Sequence, residues 1–268
     1  MVLFPNAKIN IGLYITSKRP DGFHELETCF FHVPWTDIIE ISPSDTFEFS
    51  SSGLPISGEI KNNLCYKAYQ ALAKDFQIPP VHIHLHKIIP MGAGLGGGSS
   101  DAAFTLMGLR DFFNLALTNE QLVPYAQQLG SDCAFFLSQH AQLGKGKGDE
   151  LSPISSSLVG YHLLLIYPNF GISTQEAFAQ VKPQAPTYDL TTSISLPIEQ
   201  WKDCISNDFE LSLFPKYPIL AQIKQELYDQ GAIYAAMSGS GSTLFGLFKK
   251  EVDTNQWADF TCFQGLIS

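Results

Sequence analysis

Residues 90–103 read PMGAGLGGGSSDAA, and the reading of this stretch decides the fold. Five of the fourteen residues are glycine. Glycine is costly to order, so a run this dense is expected where backbone must come close to something. Upstream, VHIHLHK (81–87) alternates as a strand does. Downstream, DAAFTLMGLRDFF (101–113) carries a helical pattern. Strand, glycine loop and helix together aim the N–H groups of a helix start at an anion, and the helix dipole favours that charge.

Several phosphate loops share this outline. The P-loop pattern GxxxxGK[ST] fails, because Gly98 is followed directly by Ser99 with no lysine between. The dinucleotide pattern GxGxxG matches at Gly92, Gly94 and Gly97, but glycine is dense enough here for a chance fit. Asp111, at about the right distance for its acidic residue, lies inside the helix pattern. The third reading keeps the serines: Ser99 and Ser100 open the helix, with hydroxyls placed for phosphate or for the water of a magnesium ion. The bland alternative is a glycine turn with a serine cap and no ligand.

Outward from the loop, INIGLYIT (9–16) and LETCFFHV (26–33) read as strands joined across Pro20-Asp21-Gly22. DIIEIS and TFEFS continue a β-rich start, and residues 61–76 carry a helical pattern. NEQLVPYAQQLG reads as a helix ending at Gly130. GKGKGDE (144–150) and the serine-rich stretch after it read as loop, in which Lys145 or Lys147 could brush phosphates. YHLLLIYP (161–168) reads as a buried strand, ISTQEAFAQ as a helix begun by Ser173 or Thr174, and 181–200 as an irregular excursion. Residues 216–230 read as helix, and 232–248 as strand, glycine-serine turn, strand. No regular βαβ rhythm appears, so the fold class expected is α+β in two halves, divided as 1–152 and 153–268.

Composition narrows the function. A chain of 268 residues with 45% hydrophobic content can bury a substantial core. A net charge of −10 does not suit nucleic-acid binding, so an anionic ligand must be held by local devices. No apolar run is long enough to span a membrane. The start MVLFPNAKIN lacks the features of a signal peptide, and the five cysteines are scattered without a CxxC. A cytoplasmic protein with reduced thiols is expected.

PMGAGLGGGSSDAA resembles the phosphate loop of the GHMP kinases, a superfamily of small-molecule kinases. Three further stretches carry the resemblance: PNAKINIGLYI (5–15), LGSDCAFF (129–136) and MSGSGSTLFG (237–246). In the second, Cys133 and Ala134 stand where the family usually has Val-Pro. AKINIGLYI with RPDGFHELET is most similar to the branch that phosphorylates the 2-hydroxyl of 4-diphosphocytidyl-2-C-methyl-D-erythritol. The resemblance implies a two-domain α+β fold with the active site in the inter-domain cleft. It implies an N-terminal nucleotide-binding domain over 1–152, a C-terminal domain over 153–268, ATP with Mg2+, and a cytidine-diphosphate-linked methylerythritol as substrate. No nucleic-acid or membrane partner is expected.

The resemblance also implies roles. Lys8 and Asp132 are the catalytic pair: the aspartate receives the hydroxyl proton late in the transfer, and the lysine orients the hydroxyl and keeps the carboxylate ionised. ATP is expected on Lys87, Pro90, Met91, Gly92, Ala93, Gly94, Leu95, Gly96, Gly97, Gly98, Ser99 and Ser100. Substrate is expected on Asn10, Phe23, His24, Phe178, Gly239 and Ser240. Phe23 replaces the tyrosine usual in relatives; its ring still stacks on a base but lacks the hydroxyl. Each residue has a duller explanation: a helix cap for Asp132, a solvated strand lysine for Lys8, a core position for Phe178, a sheet-edge lysine for Lys87. His82, His84 and His86 share one strand face, but no fourth ligand is placed nearby, and no metal site is assigned to protein side chains. A kinase for mevalonate, homoserine or a sugar remains open, as does a non-catalytic nucleotide-binding regulator.

Overall fold

The computed structural model describes residues 1–267. The chain begins with strands β1 (Val2–Leu3), β2 (Asn6–Lys18), β3 (His24–Thr36), β4 (Ile38–Pro43) and β5 (Glu48–Gly53). Helix α1 (Leu64–Phe76), strand β6 (Val81–Lys87) and helices α2 (Gly97–Phe112) and α3 (Asn119–Leu129) follow. Next come β7 (Gln142–Lys145), β8 (Glu150–Pro153) and β9 (His162–Tyr167), then α4 (Thr174–Ala179), α5 (Leu190–Ser193) and α6 (Ile198–Cys204). Helices α7 (Asp208–Lys216) and α8 (Pro218–Asp229) and strands β10 (Tyr234–Met237), β11 (Leu244–Phe248) and β12 (Thr261–Leu266) complete it. The class is α+β, as expected. Two compact units form, each from separated pieces of chain.

The first unit comprises Met1–Ala7, Trp35–Pro90 and Gly96–Gln139. Its sheet has the order β1-β4-β6-β5, with β5 parallel to β6 and the other pairs antiparallel. Strand β6 shows why it forms: Val81, Ile83 and Leu85 are buried and the three histidines are half-buried on the other face. Each buried aliphatic side chain contributes about 1.5–3 kcal/mol. On the histidine face, Ser50 Oγ lies 2.7 Å from His82 Nε2 and 2.8 Å from His84 Nδ1. Ser52 Oγ likewise lies 2.9 Å from His84 Nε2 and 2.8 Å from His86 Nδ1. Among the described residues no cluster of three or more histidine, cysteine or acidic side chains could hold a metal ion.

Helix α2 lies so close to this sheet that a Cβ on Gly108 would stand 2.4 Å from Leu3 Cδ1. Helix α1 starts three residues later than the pattern indicated, because the Asn63 side chain accepts from Cys65 N and caps it. Helix α3 carries the Thr118–Gln121 capping box and stops at Gly130.

The second unit comprises Lys8–Pro34, Met91–Leu95 and the chain from His140 onward. One sheet has the order β2-β3-β7-β8, the other the antiparallel order β10-β11-β9-β12. Helices α7 and α8 cover the second sheet through Leu213, Leu220, Ile223 and Leu227, packed with Leu164, Ile166, Met237 and Leu244. GKGKGDE is not a free loop but the tip of the β7–β8 hairpin. Positive φ at Gly146 and Gly148 makes the turn. The stretch 181–200 is less irregular than expected, since α5 and the start of α6 fall within it. All five cysteines are unbridged. Among the described residues, no helix is long and apolar enough to cross a membrane.

Candidate active site

Strand β2 carries Lys8 and Asn10 on one face, two residues apart. Both are almost fully buried. The Lys8 ammonium donates to Asn10 Oδ1 at 2.6 Å and to the carbonyl of Gly94 at 3.0 Å, and sits 5.5 Å from the centre of the Phe30 ring. The backbone N–H of Lys8 donates to the carbonyl of Leu95. Lys8 is therefore not a solvated strand lysine: it is tied to the glycine loop by main chain and side chain. An ammonium only donates, so the Asn10 amide must present its oxygen to Lys8 and its nitrogen to Thr28 Oγ1, 2.9 Å away. Thr28 in turn donates to the carbonyl of Gly12. The side chain of Asn10, expected on the substrate, bonds Lys8 and Thr28 here.

The third glycine-rich stretch packs against the same loop. Ser238 Oγ donates to the Gly94 carbonyl at 2.9 Å, and the N–H of Thr243 donates to the Ala93 carbonyl. A Cβ on Gly94 would stand 2.0 Å from Ser238 O, and Gly94 has φ +78°, so both space and conformation demand glycine there. Gly239, at φ +55°, has room for a Cβ only at 3.2 Å from Asn10 Oδ1. Gly239 is buried and Ser240 half-buried. The turn is held by Asn207, whose amide nitrogen donates to the carbonyls of Met237 and Gly239, both at 2.8 Å.

On the first unit's side of the glycine run, Pro90 ends one piece of chain and Gly96 begins the next. Gly96, in the left-handed region, is the N-cap of α2. The first N–H groups of that helix have no intrahelical partner. Ser100 Oγ, fully buried, has no hydrogen-bond partner, and Ser99 is half-buried. A Cβ on Gly97 would meet Lys87 Nζ at 2.9 Å and Ile89 Cγ2 at 3.0 Å, whereas a Cβ on Gly98 would meet nothing nearer than Leu64 Cδ1 at 3.9 Å.

Lys87, expected on ATP, ends β6 and is buried. It shares the core face of β6 with Val81, Ile83 and Leu85, and is 2% exposed. Its ammonium sits between Asp37 Oδ2 at 2.5 Å and Asp101 Oδ2 at 2.6 Å. A strand lysine facing the core must find a carboxylate, and this one finds two. The ammonium faces two protein carboxylates. Burial pushes the Asp101 carboxyl up, against the opposing pull of Lys87.

Asp132 precedes the 3-10 turn Cys133–Leu137, half-buried, in the first unit. Its side chain makes no cap hydrogen bond, so capping does not explain an aspartate at this position. Burial pushes the neighbouring Cys133 thiol up to about 12, so the cysteine behaves as a small apolar residue, as the usual valine would.

The aromatic residues divide. His24 and Phe178 stack directly, with centroids 4.9 Å apart and planes 17° apart, and Phe209 meets Phe178 edge-on. A third ring between two others needs roughly 7 Å, twice a van der Waals spacing, so no base fits between His24 and Phe178. Partial burial, then Lys18, lowers the pKa of His24 below the ordinary histidine value. Phe23 is 58% exposed on the β2–β3 turn, with Lys147 Nζ 5.1 Å from its centroid. Lys145 is engaged by Glu27 at 2.9 Å.

Sequence reasoning missed Thr28, Asp37, Asp101 and Ser238, each buried and polar. All four lie inside quoted stretches, but no role was read from them.

Comparison with known proteins gives the family. Residues 63–140 match the family described as GHMP kinases N terminal domain, and 196–260 match GHMP kinases C terminal. The 4-diphosphocytidyl-2-C-methyl-D-erythritol kinase of Bacteroides fragilis is 52% identical, over 98% of both chains. That of Bacteroides thetaiotaomicron is 50% identical over 99% of both. A crystal structure of 4-(cytidine 5'-diphospho)-2C-methyl-D-erythritol kinase superposes with a TM-score of 0.83 at 28% identity, covering 99% of this chain and 98% of that one. A mevalonate kinase structure, at 14% identity and TM-score 0.73, shares the fold. On these grounds the chain belongs to the GHMP kinases, among the 4-diphosphocytidyl-2-C-methyl-D-erythritol kinases.

Proposed function

We propose that this chain transfers the γ-phosphoryl group of ATP to the 2-hydroxyl of 4-diphosphocytidyl-2-C-methyl-D-erythritol, in isoprenoid precursor synthesis by the non-mevalonate route. The observation that carries it is identity of about half the residues, over nearly the whole of both chains, with kinases of that name. Phosphoryl transfer asks for positioning and charge neutralisation more than covalent chemistry. The glycine loop 90–100 receives the ATP phosphates on backbone N–H groups at the start of α2. Lys8, aimed by Asn10, orients the substrate hydroxyl and offsets the charge developing on the transferred group. Asp132 takes the hydroxyl proton as the new O–P bond forms and the bond to ADP breaks. Phe23 offers an open ring face to cytosine, and His24, braced on Phe178, presents an uncharged edge. Gly239 and Ser240 lie at the substrate's phosphate tail.

Mg2+ bound with ATP would neutralise phosphate charge. Ser100 Oγ, an orphaned buried oxygen at the helix start, and Ser99 are the side chains that fit such an ion. The division of the chain into a nucleotide-binding part, 1–152, and a second part, 153–268, belongs to this reading; the matched regions fall on either side of it. So do a cytoplasmic location and the absence of nucleic-acid or membrane partners.

The test is ADP release with 4-diphosphocytidyl-2-C-methyl-D-erythritol offered beside mevalonate, homoserine, galactose and cytidine diphosphate. Turnover with the first alone is expected. Turnover with another alcohol instead would overturn the substrate assignment.

A further inference from the structure

Two carboxylates and one ammonium lie buried together under the glycine loop. Asp37, Lys87 and Asp101 are 0, 2 and 3% exposed. Asp37 Oδ2 takes Lys87. Its Oδ1 accepts from the N–H of Ile88 at 2.6 Å and of Ile89 at 2.8 Å, the two residues before Pro90. Lys87 also reaches Asp101 Oδ2, in the second turn of α2, just past Ser100. Gly97 lies directly over the ammonium, with no room for a Cβ. Asp37 itself is anchored by its own N–H to the carbonyl of Pro5. One hydrogen-bonded group therefore grips the chain where it enters the loop and where it leaves it.

Resting on the proposed function, we propose that Asp37 and Asp101, acting through Lys87, are positioning residues that fix the two ends of the glycine loop so that its N–H groups meet the ATP phosphates. Buried ion groups are poor stabilisers: replacing them with apolar side chains is often neutral or better, because desolvation offsets the attraction. What this group supplies is geometry. The loop is rich in glycine, and glycine is free to move. Phosphate N–H contacts need placement to a fraction of an ångström. A charged anchor with bonds in fixed directions restricts both ends without adding a side chain to the loop itself. Both carboxylates are buried against Lys87 beneath the loop, so the loss is expected to fall on the nucleotide.

The experiment compares the wild-type chain with Asp37→Asn and Asp101→Asn. Each keeps the shape and removes one charge on Lys87, and Asp37→Asn retains an oxygen for Ile88 and Ile89. ATP binding is measured directly by calorimetry without the alcohol, and KM and kcat are then measured for both substrates. Amide exchange over residues 88–100 reports the loop, and thermal melting reports folding. The expected result is a Kd and KM for ATP raised about tenfold, within the roughly hundredfold that an ångström of misplacement can cost. Faster exchange over 88–100 accompanies it, while kcat at saturating ATP and the KM of the alcohol stay within about threefold. Unchanged ATP affinity in both folded variants overturns the proposal, as does a fall confined to kcat. If both variants fail to fold, the group serves global stability, and the positioning role is again overturned. A wild-type chain that binds ATP but phosphorylates none of the alcohols removes only the substrate assignment, and the Kd comparison still decides. A wild-type chain that binds no ATP overturns the loop's function and the clamp with it.

Discussion

Gly98→Ala separates two reasons for which a loop can be rich in glycine. One is internal: the backbone is forced against other protein atoms or into the left-handed region. Gly94 and Gly97 are of this kind, with a Cβ meeting protein at 2.0 Å and 2.9 Å. The other is external, where a ligand must reach the backbone. Gly98 is exposed and helical, and its Cβ would find the nearest protein atom 3.9 Å away. Nothing in the protein asks for glycine there. Alanine is favoured over glycine in a helix by up to about 1 kcal/mol, which for a chain of this size raises the melting temperature by roughly 2–4 °C at most. The same change at Gly97 presses a methyl on Lys87 Nζ and Ile89 and costs about 1–3 kcal/mol. If the ATP phosphates approach N–H groups at about 2.9 Å, a methyl on Gly98 stands in their path. Displacing them by an ångström raises the KM for ATP by roughly ten- to a hundredfold. Melting curves and ATP saturation kinetics on both variants make the measurement. A Gly98→Ala chain that melts higher and keeps its KM for ATP within twofold refutes the placement of phosphates over this residue. One that melts several degrees lower refutes the steric account.

Asp132→Asn is expected to abolish turnover while leaving ATP affinity within a few-fold; unchanged turnover removes Asp132 as proton acceptor. Asn10→Ala frees Lys8 from its aim, and kcat should fall about a hundredfold with little change in KM for ATP; an equal rise in both KM values would point to general loosening instead. His24, partly buried against Phe178, should titrate below a free histidine, so it stays uncharged at neutral pH and charges only on acidification. Phe178→Ala re-exposes the ring and should move its titration upward by NMR; no movement means that another group sets it. Because the folded state disfavours the His24 imidazolium, stability should fall as pH drops below the ordinary histidine range, and His24→Gln should flatten that part of the melting profile.

Much of the fold was legible because it rests on period and punctuation. VHIHLHK alternates cleanly, Gly130 ends a helix, and the Gly-Ser turn between β10 and β11 announces itself. The hairpin at GKGKGDE was not legible: its strands are short, and β7 is held on its other side by distant β3. Nor was the interleaving of the two units along the chain, since periodicity describes an element and not its neighbours. In the site, Lys87 was within reach of the sequence. A period of two puts it with Val81, Ile83 and Leu85, and a core-facing lysine implies buried carboxylates. Which carboxylates they are depends on contacts 14 and 50 residues away, and those no local pattern contains. Phe178 was legible as an aromatic on a helix, but its contacts with His24 and Phe209 are tertiary.

The serine–histidine ladder between β5 and β6 carries a constraint on where hydrogens can sit. Ser50 and Ser52 each meet two ring nitrogens, yet a hydroxyl owns a single hydrogen. At each serine at least one of the two nitrogens must therefore bring its own. A neutral His84 has one N–H for two serines. If it serves Ser52, His82 must carry its hydrogen on Nε2; if it serves Ser50, His86 must carry its hydrogen on Nδ1. A doubly protonated His84 serves both and releases its neighbours. The tautomer of the middle ring is thus passed to one end of the strand or the other, and nitrogen chemical shifts of the three imidazoles should report correlated rather than independent states.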